Sequence, residues 1–167
     1  MKTYESTDDR LIARIMLTSS QWYDGKEHRP VRLSTVGTLQ HRSEDDSWVV
    51  SYDESEATGM EGTRTSLSLY PDGQITLART GEIEMQLSFN KGDQRLEQFE
   101  TPYGLIRLSL LTHEAKGSLS DLGGNIELGY ALAVDNRHAI STKLSLEIAA
   151  EQRTESIAHG VQELWIL

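Results

Sequence analysis

The amino-acid sequence predicts an all-β protein: about ten antiparallel strands in a meander that curls into a barrel, followed by a short C-terminal helical tail. Apolar and polar residues alternate over short segments, turn residues punctuate those segments, and helical spacing is nearly absent before residue 150. A two-residue period belongs to a strand with one wet and one dry face. A sheet of this many strands buries its dry face most simply by curling on itself, which also removes exposed edges. A two-sheet sandwich is the structural alternative.

The meander is expected to open with segments 11–19, 31–42 and 47–56. In 63–70, Leu67 and Leu69 alternate with Ser66 and Ser68, and Pro71-Asp72-Gly73 turns the chain into 74–80. Thr80-Gly81-Glu82 leads into the clearest strand, 82–89, where Ile83, Met85, Leu87 and Phe89 share one face if the chain is extended. Lys91-Gly92-Asp93 follows, then segments 95–101, 104–115 and 124–134. Asp135-Asn136-Arg137 turns into 141–148, with Leu144, Leu146 and Ile148 on the dry face. Glycine takes positive φ cheaply, and Asn and Asp tolerate it, which is why such tripeptides turn.

The barrel domain is assigned to residues 1–150 and a separate tail to 151–167. In the tail, Ile157, Val161, Leu164 and Trp165 fall at i, i+4, i+7 and i+8, one stripe of a helix that Gly160 weakens. Such a stripe can plug the barrel mouth, dock on the wall, or pair with a second subunit as a homodimer. Docking on its own barrel is the expectation. Glu44-Asp45-Asp46 reads as a solvated hairpin tip.

Composition narrows the function classes. The 167 residues fit one domain, and 37% hydrophobic against 25% charged residues suits a globular core. Twenty-six acidic and 16 basic side chains leave a formal net charge of −10, which repels phosphate backbones and anionic lipid surfaces. Neither nucleic acid nor membrane is expected as a partner. With no cysteine, disulfides and thiolate metal sites are excluded. The segment Met1 to Asp9 lacks the apolar stretch of a secretory signal, and no run approaches about 18 apolar residues. A cytoplasmic location is expected.

Chemistry-bearing motifs are sparse. His28, His41, His113, His138 and His159 show no paired metal-ligand spacing, and there is no nucleophile elbow, zinc-protease helix, phosphate-binding loop or dinucleotide fingerprint. No metal, cofactor or catalytic residue is assigned. Arg79 is the most informative position, because in an extended strand it shares the dry face with Ile75 and Leu77. A buried guanidinium needs a partner. Glu54 shares a face with Trp48, Val50 and Tyr52, and so is the expected protein partner although its strand is not adjacent. Tyr130, between Leu128 and Leu132, and Thr112, beyond Leu108 and Leu110, add hydroxyls to the interior.

Two readings follow. In one, Arg79 grips an anionic or carbonyl group of a small, partly apolar ligand, with Glu54, Tyr52, Tyr130 and Thr112 completing the site. In the other, Arg79 and Glu54 form an internal ion pair and the barrel is a non-catalytic structural or interaction module with a self-filled core. Gly59, Gly62, Gly81 and Gly104 are read as turns or bulges rather than a ligand entrance.

A set of short motifs resembles the YwiB-like family of bacterial calycin-like barrels. They are Tyr52-Asp53-Glu54-Ser55, Gly59-Met60-Glu61-Gly62-Thr63, Arg79-Thr80-Gly81, Met85-Gln86-Leu87-Ser88-Phe89, Thr101-Pro102-Tyr103-Gly104, and Gly124 followed by Ile126, Leu128 and Tyr130. The resemblance spans roughly residues 11 to 149. It implies a ten-stranded calycin-like barrel, related in architecture to lipocalins, and brings no established substrate or catalytic residue. The chain departs from the family pattern at Phe99, where many members carry tyrosine, and in the tail after residue 150.

Overall fold

The computed structural model describes residues 10–82, 84–135 and 137–151. The tail 152–167, together with Ile83 and Asn136, lies outside the described residues. Eleven strands follow one another: β1 (Leu11–Tyr23), β2 (Lys26–Glu27), β3 (Val31–Arg42), β4 (Ser47–Asp53), β5 (Thr63–Leu69), β6 (Ile75–Gly81), β7 (Met85–Phe89), β8 (Gln94–Thr101), β9 (Gly104–Ser120), β10 (Gly123–Val134) and β11 (Ile140–Ala150). One 3-10 turn, Glu56–Thr58, lies between β4 and β5. Among the described residues no helix is long and apolar enough to cross a membrane.

All ladders are antiparallel, and the order β7-β6-β5-β4-β3-β1-β11-β10-β9-β8 makes one sheet, with β2 a short flap on β1. The chain therefore runs as a meander whose first and last long strands pair, Ala13 opposite Ala150 through Trp22 opposite Ser141. That pairing curls the sheet into a nearly closed barrel, as expected, in preference to a sandwich. The two sheet edges are β7 and β8, neighbours in the chain with no ladder between them. On β8, Arg95 and Glu97 sit opposite Leu110 and Leu108, on the inner side, where charge discourages a foreign strand from adding to the edge.

Alternation sets the interior. Ladder pairing aligns Leu39, Val50, Leu67, Leu77 and Leu87 in one continuous row across β3 to β7, every one of them fully buried or nearly so. Trp48, Leu69, Ile75 and Phe89 make the next row. Ala13, Ile15, Ile126, Leu128, Leu146 and Ile148 complete this packed half from the opposite wall. On β9 the parity changes at a bulge: Gly129 faces Glu114 but Tyr130 faces Thr112, so His113 is the extra residue. The strand that the sequence placed at 104–115 thereby continues to Ser120 with Ala115 and Leu119 turned to the core.

Gly37 marks a close approach of two strands. A Cβ there would lie 2.1 Å from the Ser51 carbonyl oxygen and 2.7 Å from Ile15 Cδ1, so only glycine lets β3 approach β4 so closely. Two outcomes are expected in urea unfolding. Gly37→Ala should lower stability by about 1–3 kcal/mol through overpacking. Leu67→Ala, which empties the centre of the apolar row, should lower it by about 2–5 kcal/mol.

Candidate functional site

Moving from the packed half toward the opposite end of the barrel, the same strands change character. One row beyond Val50, Leu67, Leu77 and Leu87, the ladders align Tyr52, Thr65, Arg79 and Met85. One row further, the Glu54 amide donates to the Thr63 carbonyl at 2.8 Å, and Thr63 faces Gly81. Polar side chains thus gather on the inner face at this end. Here the lumen opens into a cavity of about 370 Å³, walled by Leu17, Leu132 and Leu144 and by Tyr52, Glu54, Arg79 and Tyr130. His28 and Arg29, both exposed, stand at its rim.

Glu54 is only 6% exposed. Its Oε1 accepts a hydrogen bond from Thr65 Oγ1 at 2.6 Å, while Oε2 is buried without a partner. Arg79 Nε and Thr63 Oγ1 are buried and unpartnered as well. These three atoms, just past β4, on β5 and on β6, are the buried side-chain polar atoms left without partners among the described residues. The internal Arg79 to Glu54 ion pair expected from the sequence is therefore absent. The reason is register: β5 separates the two strands, Arg79 sits one row below Glu54, and Thr65 on the intervening strand captures the near carboxylate oxygen.

The two phenols respond to this environment. Burial pushes the Tyr52 hydroxyl far above its ordinary range, the Glu54 charge pushes the same way, and Arg79 opposes both. Burial also raises Tyr130, against the pull of Arg79 and the Thr142 hydroxyl. Tyr130 crosses from the far wall to meet Phe89, their ring centroids 4.9 Å apart at 48°. This contact spans the seam side of the barrel from β10 to β7.

Of the residues singled out from the sequence, Arg79, Glu54, Tyr52 and Tyr130 are brought together around the cavity. Thr112 is not part of its lining: it is 1% exposed and lies opposite Tyr130 in the β9–β10 ladder. Sequence reasoning missed Ser19, Gln21 and Thr142, which also face the cavity. Extending the alternation Ala13, Ile15, Leu17 by two more steps would have found Ser19 and Gln21, because β1 runs to Tyr23 rather than 19. Gly59, Gly62, Gly81 and Gly104 all have positive φ, the conformation of turns.

The raised phenols carry a pH signature. An unfolded tyrosine loses its proton near about pH 10, whereas the folded ones hold theirs to higher pH. Above that pH the unfolded chain binds fewer protons than the folded one, so stability falls as pH rises. Tyr52→Phe should flatten this alkaline decline in urea unfolding between pH 9 and about 11. An unchanged slope would show that Tyr52 titrates normally.

The residues of the cavity fall inside the stretch 15–146 that matches a family model described as a domain of unknown function, DUF1934. The crystal structure of ywiB protein from Bacillus subtilis superposes with a TM-score of 0.68, at 17% identity, over 87% of this chain and 98% of that one. At this identity the likeness speaks for the fold alone. None of the curated proteins compared matches the chain. With most of its length matched, and with the same barrel found in the Bacillus subtilis protein, the chain belongs to the DUF1934 family.

Proposed function

We propose that the protein is a binding module whose barrel lumen takes a small, partly apolar ligand at the polar end, with Arg79 as the principal anchor. The observation that carries this reading is the convergence of Arg79, Glu54, Tyr52 and Tyr130 on one cavity of about 370 Å³. Charged and phenolic side chains drawn to an otherwise aliphatic interior are costly unless something there meets them. The volume lies within the range of ordinary ligand sites, and a mostly aliphatic wall with a few convergent polar groups is their usual composition. Fold kinship alone would be no argument, since one barrel architecture serves many functions.

A second reading, an interaction barrel, has its own support. The inner face is self-filled at the other end by Leu87, Phe89, Leu146 and their neighbours, and the β8–β9 hairpin exposes Leu96 and Leu105 at 80% and 53%. That reading leaves the gathering of Arg79, Glu54, Tyr52 and Tyr130 around one cavity without a role, so the lumenal site is preferred.

Native mass spectrometry of protein purified gently from its own host tests the choice. Wild type should retain a small molecule that folded Arg79→Met, matched by circular dichroism, has lost; apo wild type beside an unfolded variant would favour a purely structural arginine. Stability gives an independent readout. Breaking a true buried ion pair costs about 3–5 kcal/mol. Because Arg79 forms no salt bridge with Glu54 and its Nε is buried without a partner, Arg79→Met in the ligand-free state should unfold in urea at or above the wild-type midpoint.

A further inference from the structure

Beside the point where the chain leaves the barrel, the outer wall carries an apolar patch. Ile12, Met16 and Val36 are 55%, 57% and 60% exposed, whereas Ala13, Ile15 and Leu17 on the other face of β1 are buried. Ladder pairing sets Val36 opposite Arg14, so Ile12 and Met16 are its two diagonal neighbours, about 7–8 Å away. Arg14 adds its aliphatic stem to the same surface. On the β11 side Arg14 faces the exposed Ala149, whose small side chain leaves the approach to the patch low. Thr38, Ser34 and Glu147 frame the three apolar side chains. Single exposed apolar residues are ordinary, but three adjoining ones in a polar frame mark a contact surface.

We propose that this surface is covered by the chain's own C-terminal segment, residues 152–167, which lays the stripe Ile157, Val161, Leu164 and Trp165 along β1 over Ile12, Val36 and Met16. The segment starts in the right place: the Glu151 amide donates to the Ile12 carbonyl at 2.8 Å, so the tail leaves from the rim of the patch. The lengths agree as well. From Glu151 to Ile157, six residue steps reach at most about 20 Å, enough for the chain to reverse and run back along β1. Wound as the helix that its sequence predicts, the eight steps from Ile157 to Trp165 rise about 12 Å, against about 13–14 Å from Ile12 to Met16 on the strand. The exposed Leu96 and Leu105 are out of reach, because the β8–β9 hairpin lies level with the start of β11 and the 11 residues of that strand, about 35 Å, separate it from Glu151. Tethering also holds the tail at about millimolar local concentration, which favours it over a second copy. Docked there, the tail passes from β11 over β1 to β3 and straddles the ladder that closes the barrel.

Paramagnetic NMR on the full chain tests this directly. The sequence has no cysteine, so His159→Cys, on the side of the predicted helix away from the stripe, takes a single nitroxide label. In an isotope-labelled, spin-labelled chain the methyl signals of Ile12, Met16 and Val36 should lose most of their intensity, while those of Met60 and Leu132 at the cavity end keep theirs. In an equimolar mixture of isotope-labelled wild type with spin-labelled chain of natural isotope content, all of these signals should stay intact. Val36→Glu changes an exposed side chain, so the barrel remains folded, and it should restore the Ile12 and Met16 signals of the labelled chain. Equal signal loss in the mixture and in the single chain would give the patch to a second copy and overturn docking by the chain's own tail. Signals of Ile12, Met16 and Val36 that survive in both samples, or a loss that persists in Val36→Glu, would overturn it too.

Discussion

The pairing of β1 with β11 is the constraint on which everything else rests. Because β7 and β8 share no ladder, the strands make two separate meanders, β1 to β7 and β8 to β11, until the first long strand meets the last. Ten residue pairs from Ala13–Ala150 to Trp22–Ser141 make that closure, and the Glu151 amide extends it by donating to the Ile12 carbonyl at 2.8 Å. Only then does the dry face become a lumen. The closure joins strands at opposite ends of the sequence, so loop entropy must be lost before the contact forms, which is the topology that folds slowly.

Closure also decides where the remaining edges go. They fall at β7 and β8, which the chain joins directly through the Lys91-Gly92-Asp93 turn, yet β8 pairs only with β9. Asp93 and Thr112 hold the start of β8 against β9, the Thr112 amide donating to the Asp93 carbonyl at 2.9 Å, while Arg95 pairs with Asp93 at 3.3 Å. Across the seam the lumen is bridged by side chains instead of backbone, with Phe89 meeting Tyr130. Thr112 thus belongs to the machinery that positions β8, although its place among leucines suggested a lumenal hydroxyl.

Much of the fold was legible because its signal is local. Alternation in 63–70 and 141–148 marks β5 and β11 to within two residues, the segment 31–42 coincides with β3, and the glycine-bearing turns at 71–73 and 91–93 fall between strands as turn chemistry requires. Arg79 stood out for the same reason, as a charge on a face shared with Ile75 and Leu77. What was not legible depends on relations between strands. Nothing local says that Thr65 stands opposite both Tyr52 and Arg79, and that register gives Glu54 to Thr65 and leaves Glu54 Oε2 and Arg79 Nε without hydrogen-bond partners. The bulge at His113 was hidden for a similar cause: an extra residue reveals itself only against the partner strand.

Register explains, finally, why the interior is dry at one end and polar at the other. Read along the chain, the polar inward residues look scattered: Gln21 and Ser19 late in β1, Glu54 just past β4, Thr63 and Thr65 early in β5, Arg79 late in β6, Thr142 early in β11. Antiparallel neighbours run in opposite directions, so late in one strand and early in the next are the same end of the barrel. β5 shows the pattern in passing from Thr63 and Thr65 to Leu67 and Leu69, and β6 shows it in passing from Arg79 to Leu77 and Ile75. Threonine on β5 is small, and between Glu54 and Arg79 it leaves space that leucine would fill. A core serving stability alone would continue the apolar rows, since buried polar groups without partners oppose folding. The cavity is therefore specified on several strands at once, with Tyr52 on β4, Glu54 just past it, Arg79 on β6 and Tyr130 on β10 brought to one lumen.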